Sequence, residues 1–350
     1  MMSGLRCPSS GRAACLRPAT CRTTCAAGPR PCRLPVVSGW SPASRPAWPP
    51  SAVIWFRPAC SAKFSFANRL RCWIEIGDFY PRLMPREVKL RATPSHPMQT
   101  LLNRVQAAHT LLCVGLDPVG DDAQVARRLA EVIDQTSEYA AAFKPNLAFF
   151  LSRENGVQLL RETVQRVPDG IPVILDGKFG DIANTADHYA RFAYDIIGAD
   201  GVTVNPYMGD DAIVPFARPG KLVFALAKTS NKPTHSLQDV ALTRGGSLAD
   251  CAARVARQLD EQHGGIGLVV GATNPEAVAR LRALCPDQWF LVPGVGAQGG
   301  DLAATLRAGL RPDGTGLLIN TSRALWQATD TAAAARELVE QMNQLRPVVV

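Results

Sequence analysis

The chain has 350 residues, enough for one large domain and an additional segment. Its formal net charge of +8 is unevenly distributed: residues 1–97 carry 15 Lys and Arg against 3 acidic residues, whereas the remainder carries 23 basic and 27 acidic residues. Because the regular part of the chain is mildly acidic, a nucleic-acid-binding surface is not expected there. No stretch reaches the ~20 apolar residues that a membrane span requires.

Residues 1–97 are rich in Arg, Pro, Ser, Ala and Cys, and they lack the periodicity of a helix or a strand. This composition is typical of a transit peptide and equally of translated GC-rich non-coding DNA. A regular pattern begins at Met98, where we predict an amphipathic helix. We therefore expect residues 1–97 to be a disordered basic extension outside the native protein, and one folded domain to span residues 98–350.

Seven of the ten cysteines precede residue 98. They are compatible with a disulfide framework or a zinc site, but Cys21-x-x-x-Cys25 is a weak metal spacing and no histidine precedes His96. The later cysteines are far apart, as is typical of buried thiols in a cytosolic protein. We expect no metal, no cofactor and a cytoplasmic location. The later cysteines are Cys113, Cys251 and Cys285.

From residue 111 onward, eight short apolar runs predict strands, and stretches of helical period separate them. Eight β-α repeats in about 250 residues favour a closed (β/α)8 TIM barrel over an open doubly wound sheet, because no run resembles an antiparallel edge strand. Ser247 and Asp301 are predicted helix N-caps, and Pro275 suits a first helical turn. The predicted strands are Leu111–Gly115, Ala141–Lys144, Pro172–Asp176, Gly201–Val204, Leu222–Ala227, Gly267–Val270, Trp289–Val292 and Gly316–Ile319. The predicted helices include Ala123–Tyr139, Gly156–Val167, Thr185–Ile197, Ser247–His263, Pro275–Leu284 and Asp301–Ala308.

Polar or glycine-rich residues follow every predicted strand, and in a parallel barrel these ends share the rim that carries the active site. Asp176, Lys178 and Asp181 leave the third strand within six residues, and Lys144 ends the second strand. In isolation such a cluster is compatible with a surface salt-bridge network. Its position at the rim favours a catalytic role.

With these motifs the sequence resembles the orotidine 5′-phosphate decarboxylases, and among them the bacterial type 2 branch. The resemblance covers roughly residues 98–350. It departs at Phe179, where that branch commonly has arginine. The matching motifs are Leu112-Cys-Val-Gly-Leu-Asp117-Pro, Phe143-Lys144-Pro-Asn146, Asp176-x-Lys178-x-x-Asp181-Ile, Val270-Gly-Ala-Thr273 and Val292-Pro-Gly-Val-Gly-Ala-Gln298-Gly-Gly.

The resemblance implies cofactor-free decarboxylation of orotidine 5′-phosphate (OMP) to UMP and CO2. It implies that Lys178 stabilises and protonates the C6 carbanion within an alternating array of Lys144, Asp176, Lys178 and Asp181. Adjacent carboxylates would keep both amines charged. It also implies a homodimer in which Asp181 and Thr185 cross to the partner subunit's site.

A phosphate site is expected after strands seven and eight, where barrels commonly bind phosphate. Gln298 and Arg323 are the candidates there. The motif Gly294-x-Gly296-x-x-Gly299 is compatible with a dinucleotide fingerprint, but no acidic residue ends the next strand. Arg323 is alternatively an ordinary helix-surface residue.

Two further substrate contacts are predicted. Asp117 would bind a ribose hydroxyl with help from Thr185, or else it serves the turn before Pro118. Ser230 lies in a polar segment, residues 229–246, that is either a lid over the pyrimidine or a passive surface loop.

Two other functions remain open at this stage. Another phosphosugar barrel, such as a pentulose- or hexulose-phosphate decarboxylase or aldolase, would need a metal or a Schiff-base lysine. A nucleotide-binding barrel without turnover would not need the four charged residues of the array.

Overall fold

The computed structural model describes residues 97–295 and 299–346, and every element given below lies within these ranges. Eight strands form a single all-parallel sheet, in the order β2-β1-β8-β7-β6-β5-β4-β3. The strands are β1 (Leu112–Leu116), β2 (Ala142–Pro145), β3 (Ile174–Phe179), β4 (Gly201–Val204), β5 (Leu222–Lys228), β6 (Ile266–Val270), β7 (Phe290–Pro293) and β8 (Leu317–Thr321).

The two strands at the ends of this order, β2 and β3, meet and close the sheet. The N–H of Phe143 donates to the carbonyl of Pro172 at 2.9 Å. Single bridges pair Phe143 with Val173 and Asn146 with Asp176. The predicted (β/α)8 barrel is thereby confirmed, and the open sheet is excluded.

The strands are buried on both faces, which explains why their sequences are nearly continuous apolar runs rather than alternating ones. Phe143, Phe224 and Phe290 are among the largest fully buried side chains. The α-helices are Pro97–Ala107, Asp122–Thr136, Leu147–Leu151, Gly156–Arg166, Ala183–Arg191, Leu248–His263, Pro275–Leu284, Leu302–Gly309, Arg323–Trp326 and Thr331–Leu345.

The predicted helix starts are confirmed. Ser247 caps its helix through a reciprocal capping box with Asp250, Asp301 accepts from the N–H of Ala304 at 3.0 Å, and Pro275 is the first helical residue.

One predicted helix was wrong in extent. The stretch predicted as 185–197 begins earlier, and it becomes a π-helical turn at Phe192–Ile196, where the N–H of Ile197 bonds to the carbonyl of Phe192. An irregular final turn of this kind has no periodicity signal.

Two strands contain bulges close to their carboxyl ends. In β3 the register against β4 moves from Leu175 paired with Val202 to Phe179 paired with Val204, so three β3 residues face one β4 residue. In β5 one residue is extra between Leu226 and Lys228. Bulges bend a strand and re-aim its side chains. Both bulges lie at the rim where the predicted site residues are.

The predictions for residues 1–96 and for Gln298 fall outside the described residues. Within the described ranges, no helix has the length and apolar character to cross a bilayer.

Candidate active site

The end of β3 carries two predicted residues on a distorted stretch of backbone. Lys178 has a left-handed backbone conformation, with φ of 45°, which is uncommon for residues other than glycine. Its N–H donates to Thr203 Oγ1 on β4 at 2.9 Å, and this bond supports the unusual conformation. Strained backbone persists where neighbouring contacts enforce it, and it clusters at functional sites.

Asp176 is the centre of a buried charge cluster. Its Oδ2 accepts from Lys144 Nζ at 2.8 Å, and its Oδ1 accepts from Lys178 Nζ at 2.7 Å. A third donor, the hydroxyl of Thr203, contacts Oδ1 at 2.8 Å. The side chains of Lys144 and Asp176 are 5% and 9% exposed, whereas that of Lys178 is 48% exposed. The cluster is therefore sealed on its inner side and presents one ammonium group at the barrel mouth.

Electrostatics keep Asp176 and Lys144 ionised. Burial alone would raise the pKa of Asp176, but the ammonium groups of Lys144 and Lys178 outweigh burial and hold that pKa well below its usual range. Burial alone would lower the pKa of Lys144, but the charges of Asp176 and Asp117 raise it above the ordinary lysine value. A carboxylate and a buried ammonium group therefore coexist near neutral pH.

Asp117 follows β1 at the same rim, and its effect on the pKa of Lys144 places it near the cluster. Its Oδ1 is buried and has no hydrogen-bond partner among the described residues. A buried carboxylate oxygen without a donor is costly. A hydroxyl group of a ligand would supply the missing donor.

Cys113 lies on the inward face of the barrel, one layer below the cluster. It is paired with Ala142 and Asn320 in neighbouring strands, and Lys144 follows Ala142 by two residues on the same face. Burial raises the pKa of the Cys113 thiol to about 12, so it is a neutral packing group. The Oδ1 of Asn320 is also buried without a partner in the described residues.

Asp181 and Thr185 lie beyond β3 and do not join the cluster within this chain. The carboxylate of Asp181 accepts from the N–H of Ile182 at 2.8 Å. The described residues include no ion pair between Asp181 and either lysine of the cluster. Thr185 is exposed on the following helix.

Ser230 and Arg323 lie at the same rim, because they follow β5 and β8. The backbone of Ser230 packs closely on Gly271, where a Cβ would lie 2.7 Å from the Ser230 nitrogen. Arg323 is exposed at the first position of a short helix. Gln298, the other predicted phosphate ligand, is not among the described residues.

The sequence prediction gave no role to two residues of this rim. Thr203 supports both Asp176 and Lys178, and it is the single polar residue of the apolar strand Gly201–Val204. Lys228 is buried at the end of β5 and donates to Thr234 Oγ1 at 2.8 Å. In both cases the available signal was a polar residue at the end of an otherwise apolar strand.

Phe179 anchors the stretch that carries Lys178. Its buried ring stacks on Phe216 with a centroid distance of 5.5 Å and contacts Tyr189 at 5.1 Å. A Cβ on Gly177 would lie 2.5 Å from this ring, so the glycine leaves room for it. The residue that departs from the type 2 pattern thus fills an apolar site.

The arrangement is suited to stabilising negative charge that develops at the barrel mouth. The half-exposed ammonium group of Lys178 is fixed by Asp176 before any ligand arrives, so no reorganisation is needed during reaction. An ammonium group can also donate a proton to a carbanion within hydrogen-bond reach.

A model of the orotidine 5′-phosphate decarboxylase/HUMPS family matches residues 110–338. An orotidine 5′-phosphate decarboxylase of Roseiflexus sp. strain RS-1 is 43% identical over 251 residues, which cover 68% of this chain and 92% of the relative. A Cupriavidus metallidurans protein of the same name is 42% identical, over 68% of this chain and 93% of the relative.

Solved structures agree. The chain resembles Leishmania donovani OMP decarboxylase with a TM-score of 0.68 and 47% identity, covering 72% of this chain and 99% of the Leishmania chain. The family model's match, residues 110–338, spans all eight strands of the barrel.

Proposed function

The chain belongs to the orotidine 5′-phosphate decarboxylase family, and we propose that Lys144, Asp176, Lys178 and Asp181 carry its reaction. That reaction, which is catalysed by a carboxy-lyase, converts OMP to UMP and CO2 in the last step of pyrimidine synthesis. The observation that supports this assignment of roles is the chain of ion pairs from Lys144 through Asp176 to Lys178. These ion pairs place a fixed positive charge where the reaction creates a negative charge.

Lys178 acts on the carbon that loses CO2. The bond between C6 and the carboxylate carbon breaks, CO2 leaves, and the electron pair stays on C6 as a vinyl anion. The Lys178 ammonium group stabilises this anion and transfers one proton to it, which gives UMP. Water then returns a proton to the amine, whose side chain is half exposed.

Asp176 and Lys144 set the position of Lys178. Asp176 holds the Lys178 ammonium group at 2.7 Å, and Lys144 and Thr203 hold Asp176 in turn. A carboxylate beside the substrate's own carboxylate also destabilises the bound ground state, an effect that is relieved as CO2 departs.

Asp117, Thr185, Ser230, Gln298 and Arg323 bind the rest of the substrate. The Oδ1 of Asp117, which has no partner among the described residues, suits a ribose hydroxyl. Arg323 offers the bidentate geometry that a phosphate dianion accepts. Thr185 assists at the ribose, Ser230 contacts the pyrimidine and Gln298 joins Arg323 at the phosphate.

The enzyme is a homodimer in which Asp181 and Thr185 complete the partner subunit's site. Large apolar side chains are exposed around Asp181, which is unusual for a surface that faces only water. Asp181 also has no lysine partner within its own chain, as far as the described residues extend. The exposed apolar residues are Ile182, Tyr189, Tyr207 and Met208.

The enzyme works in the cytoplasm. Cys113, Cys251 and Cys285 are free thiols, as expected in a reducing compartment.

A hexulose- or pentulose-phosphate aldolase is the alternative from a different reaction class. A Schiff base would require Lys178 to leave its ion pair with Asp176 and react as a neutral amine. The pairing therefore favours decarboxylation, and borohydride trapping with a sugar phosphate should leave the protein unmodified.

The test of this function is the loss of OMP absorbance with the purified full chain in EDTA. We expect turnover to persist in EDTA and to fall by several orders of magnitude in Lys178→Ala. Lys221→Ala is the matched control, because Lys221 precedes β5 at the opposite end of the barrel and donates to the carbonyl of Ala199. Equal rates for Lys178→Ala and the wild type would refute the assignment.

A further inference from the structure

A second buried lysine lies at the rim outside the charge cluster. Lys228 is the last residue of β5, and its side chain is 5% exposed. The β5 bulge falls between Leu226 and Lys228, as the β3 bulge precedes Phe179. A bulge re-aims the side chain that follows it. In β5 the bulge directs Lys228 toward the segment 229–246.

Lys228 joins the base of this segment to two of its later residues. Its Nζ donates to Thr234 Oγ1 at 2.8 Å and also donates to a carboxylate oxygen of Asp239. The hydroxyl of Thr234 donates to the other oxygen of Asp239 at 3.3 Å. Thr234 is buried, although its neighbours from 231 to 237 are exposed. One buried contact point thus holds an otherwise exposed loop.

A second set of bonds fixes Thr229, the residue before Ser230. The N–H of Thr229 donates to Gln238 Oε1 at 2.9 Å, and Gln238 Nε2 donates back to Thr229 Oγ1 at 2.7 Å. The backbone N–H of Gln238 bonds to the carbonyl of Thr234 at 2.8 Å. Ser230 is also backed by Gly271, which allows no side chain at its position. Its placement therefore depends on the Lys228 contacts through Thr234 and Gln238.

Stability alone does not explain an ammonium group at this position. Desolvating a charge costs free energy, and a well-packed apolar residue commonly replaces a buried ion pair without loss of stability. A buried charge with one carboxylate and one hydroxyl partner does specify orientation, because few arrangements satisfy it.

We propose that Lys228 is a positioning residue that, through Thr234 and Asp239, holds the segment 229–246 so that Ser230 meets the substrate's pyrimidine. The inference rests on the proposed function of the site. The segment is then ordered before the substrate binds, and it does not become ordered only around the substrate. Binding then costs less conformational entropy at the step that recognises the base.

The test compares Lys228→Met and Asp239→Asn with Lys221→Met, a control at the residue that precedes the other end of the same strand. For Lys228→Met we expect KM for OMP to rise by about 10-fold or more and kcat to change less, because saturating substrate can still order the segment. Inhibition by ribose 5-phosphate, which lacks the base, should be unchanged. Lys228→Arg should recover part of the affinity, and Asp239→Asn should shift KM in the same direction.

Hydrogen exchange gives a readout that does not depend on turnover. Peptides covering residues 229–240 should exchange faster in Lys228→Met, because the N–H groups of Thr229 and Gln238 lose their fixed acceptors. The helix Leu248–His263 should exchange as in the wild type, and Lys221→Met should leave residues 229–240 unchanged.

Unchanged KM together with unchanged exchange at 229–240 would overturn the proposal, as would equal losses of OMP and ribose 5-phosphate binding. If Lys228→Met fails to fold, the KM and hydrogen exchange of Asp239→Asn decide between these outcomes, because Asp239 is exposed and its substitution should not prevent folding. Failure of the proposed function is separately visible, because the wild-type chain would then not decarboxylate OMP.

Discussion

Three donors meet at the carboxylate of Asp176, and one of them is a neutral hydroxyl. Thr203 donates to Asp176 and accepts from the N–H of Lys178, so a single oxygen links the acid to the backbone of the proposed proton donor. Thr203→Val removes both bonds at nearly constant volume. We expect kcat to fall by about 10- to 100-fold, because small misplacements of a catalytic group have effects of that size. Steady-state kinetics of the purified variant measures this.

Thr163→Val is the matched control for Thr203→Val. Thr163 is also buried, and its hydroxyl donates only along its own helix, to the carbonyl of Leu159. Its kcat should equal that of the wild type. Parallel losses of activity in the two variants would mean that the Thr203 effect is general destabilisation.

Asp176 also makes stability depend on pH. Its pKa is depressed in the folded state, so its contribution to the free energy of unfolding is present above the ordinary carboxyl pKa of about 3.9 and is lost as pH falls below it. Asp176→Asn lacks this contribution and leaves Lys144 without its buried partner, at a cost of about 3 kcal/mol at pH 7. The difference from the wild type should shrink in acid.

Urea unfolding at pH 7, 3.5 and 2.5 measures this difference, because the loss begins only below the ordinary carboxyl pKa. Asp134→Asn serves as the control, because Asp134 pairs with Arg166 at the surface and its variant should track the wild type at every pH. A difference for Asp176→Asn that stays constant down to pH 2.5 would show that Asp176 is not the titrating group.

The sequence was sufficient to predict Lys144, Asp176 and Lys178 as neighbours, because charged residues at the ends of adjacent parallel strands must share a rim. It was not sufficient to predict the bonds of the Thr203 hydroxyl or the contacts of Lys228 with Thr234 and Asp239. Which side chain a strand residue meets depends on register, and register shifts at both bulges.

The β3 bulge is the element that presents Lys178, and Gly177 is part of it. Gly177→Ala would bring a Cβ to 2.5 Å from the buried ring of Phe179. We expect a loss of stability of about 1–3 kcal/mol from overpacking. We also expect a lower kcat, because Phe179 directly follows Lys178 and a displaced ring would move the Lys178 backbone. Thermal unfolding and kinetics of the same sample measure both.

A second substitution tests the cause of the Gly177→Ala effect. Phe179→Leu shortens the side chain that the new methyl group would meet, so the double variant should be more stable than the two single effects predict. Strict additivity would show that the methyl group clashes elsewhere.

Elements with strong periodicity were predicted well, and irregular ones were not. Strand β4 and the helix Pro275–Leu284 match the prediction at both ends. Strand β3 was predicted to end at Asp176 but continues to Phe179. The charged residues there interrupt the apolar run, although the backbone still pairs with β4. The apolar run therefore ends before the strand does.

At the scale of the whole molecule, the barrel is complete within the part of the chain that begins at Pro97. A chain consisting of residues 98–350 should therefore match the full chain in kcat and melting temperature. The control deletion starts at residue 108 and removes Leu101 and Val105, both fully buried, so it should lose stability. A lower kcat for 98–350 with an unchanged melting temperature would show that residues 1–97 act in catalysis.

The assembly can be tested by mixing two inactive variants. If Asp181 acts in the partner's site, Lys178→Ala and Asp181→Ala each disable both sites of their own homodimer. A mixed dimer still has one site with an intact Lys178 from one subunit and an intact Asp181 from the other.

Random exchange makes half of the dimers mixed and leaves one of their two sites active, so we expect about one quarter of wild-type activity to return. The mixture is unfolded, refolded together and assayed for OMP turnover beside each variant refolded alone. Pairing Lys178→Ala with Asp176→Ala is the control, because both residues belong to the same cluster and no mixed site is complete. No recovery in the test pair when the mixed dimers have formed would place Asp181 in the site of its own subunit. Recovery in the control pair would show that the regained activity does not come from complementation between subunits.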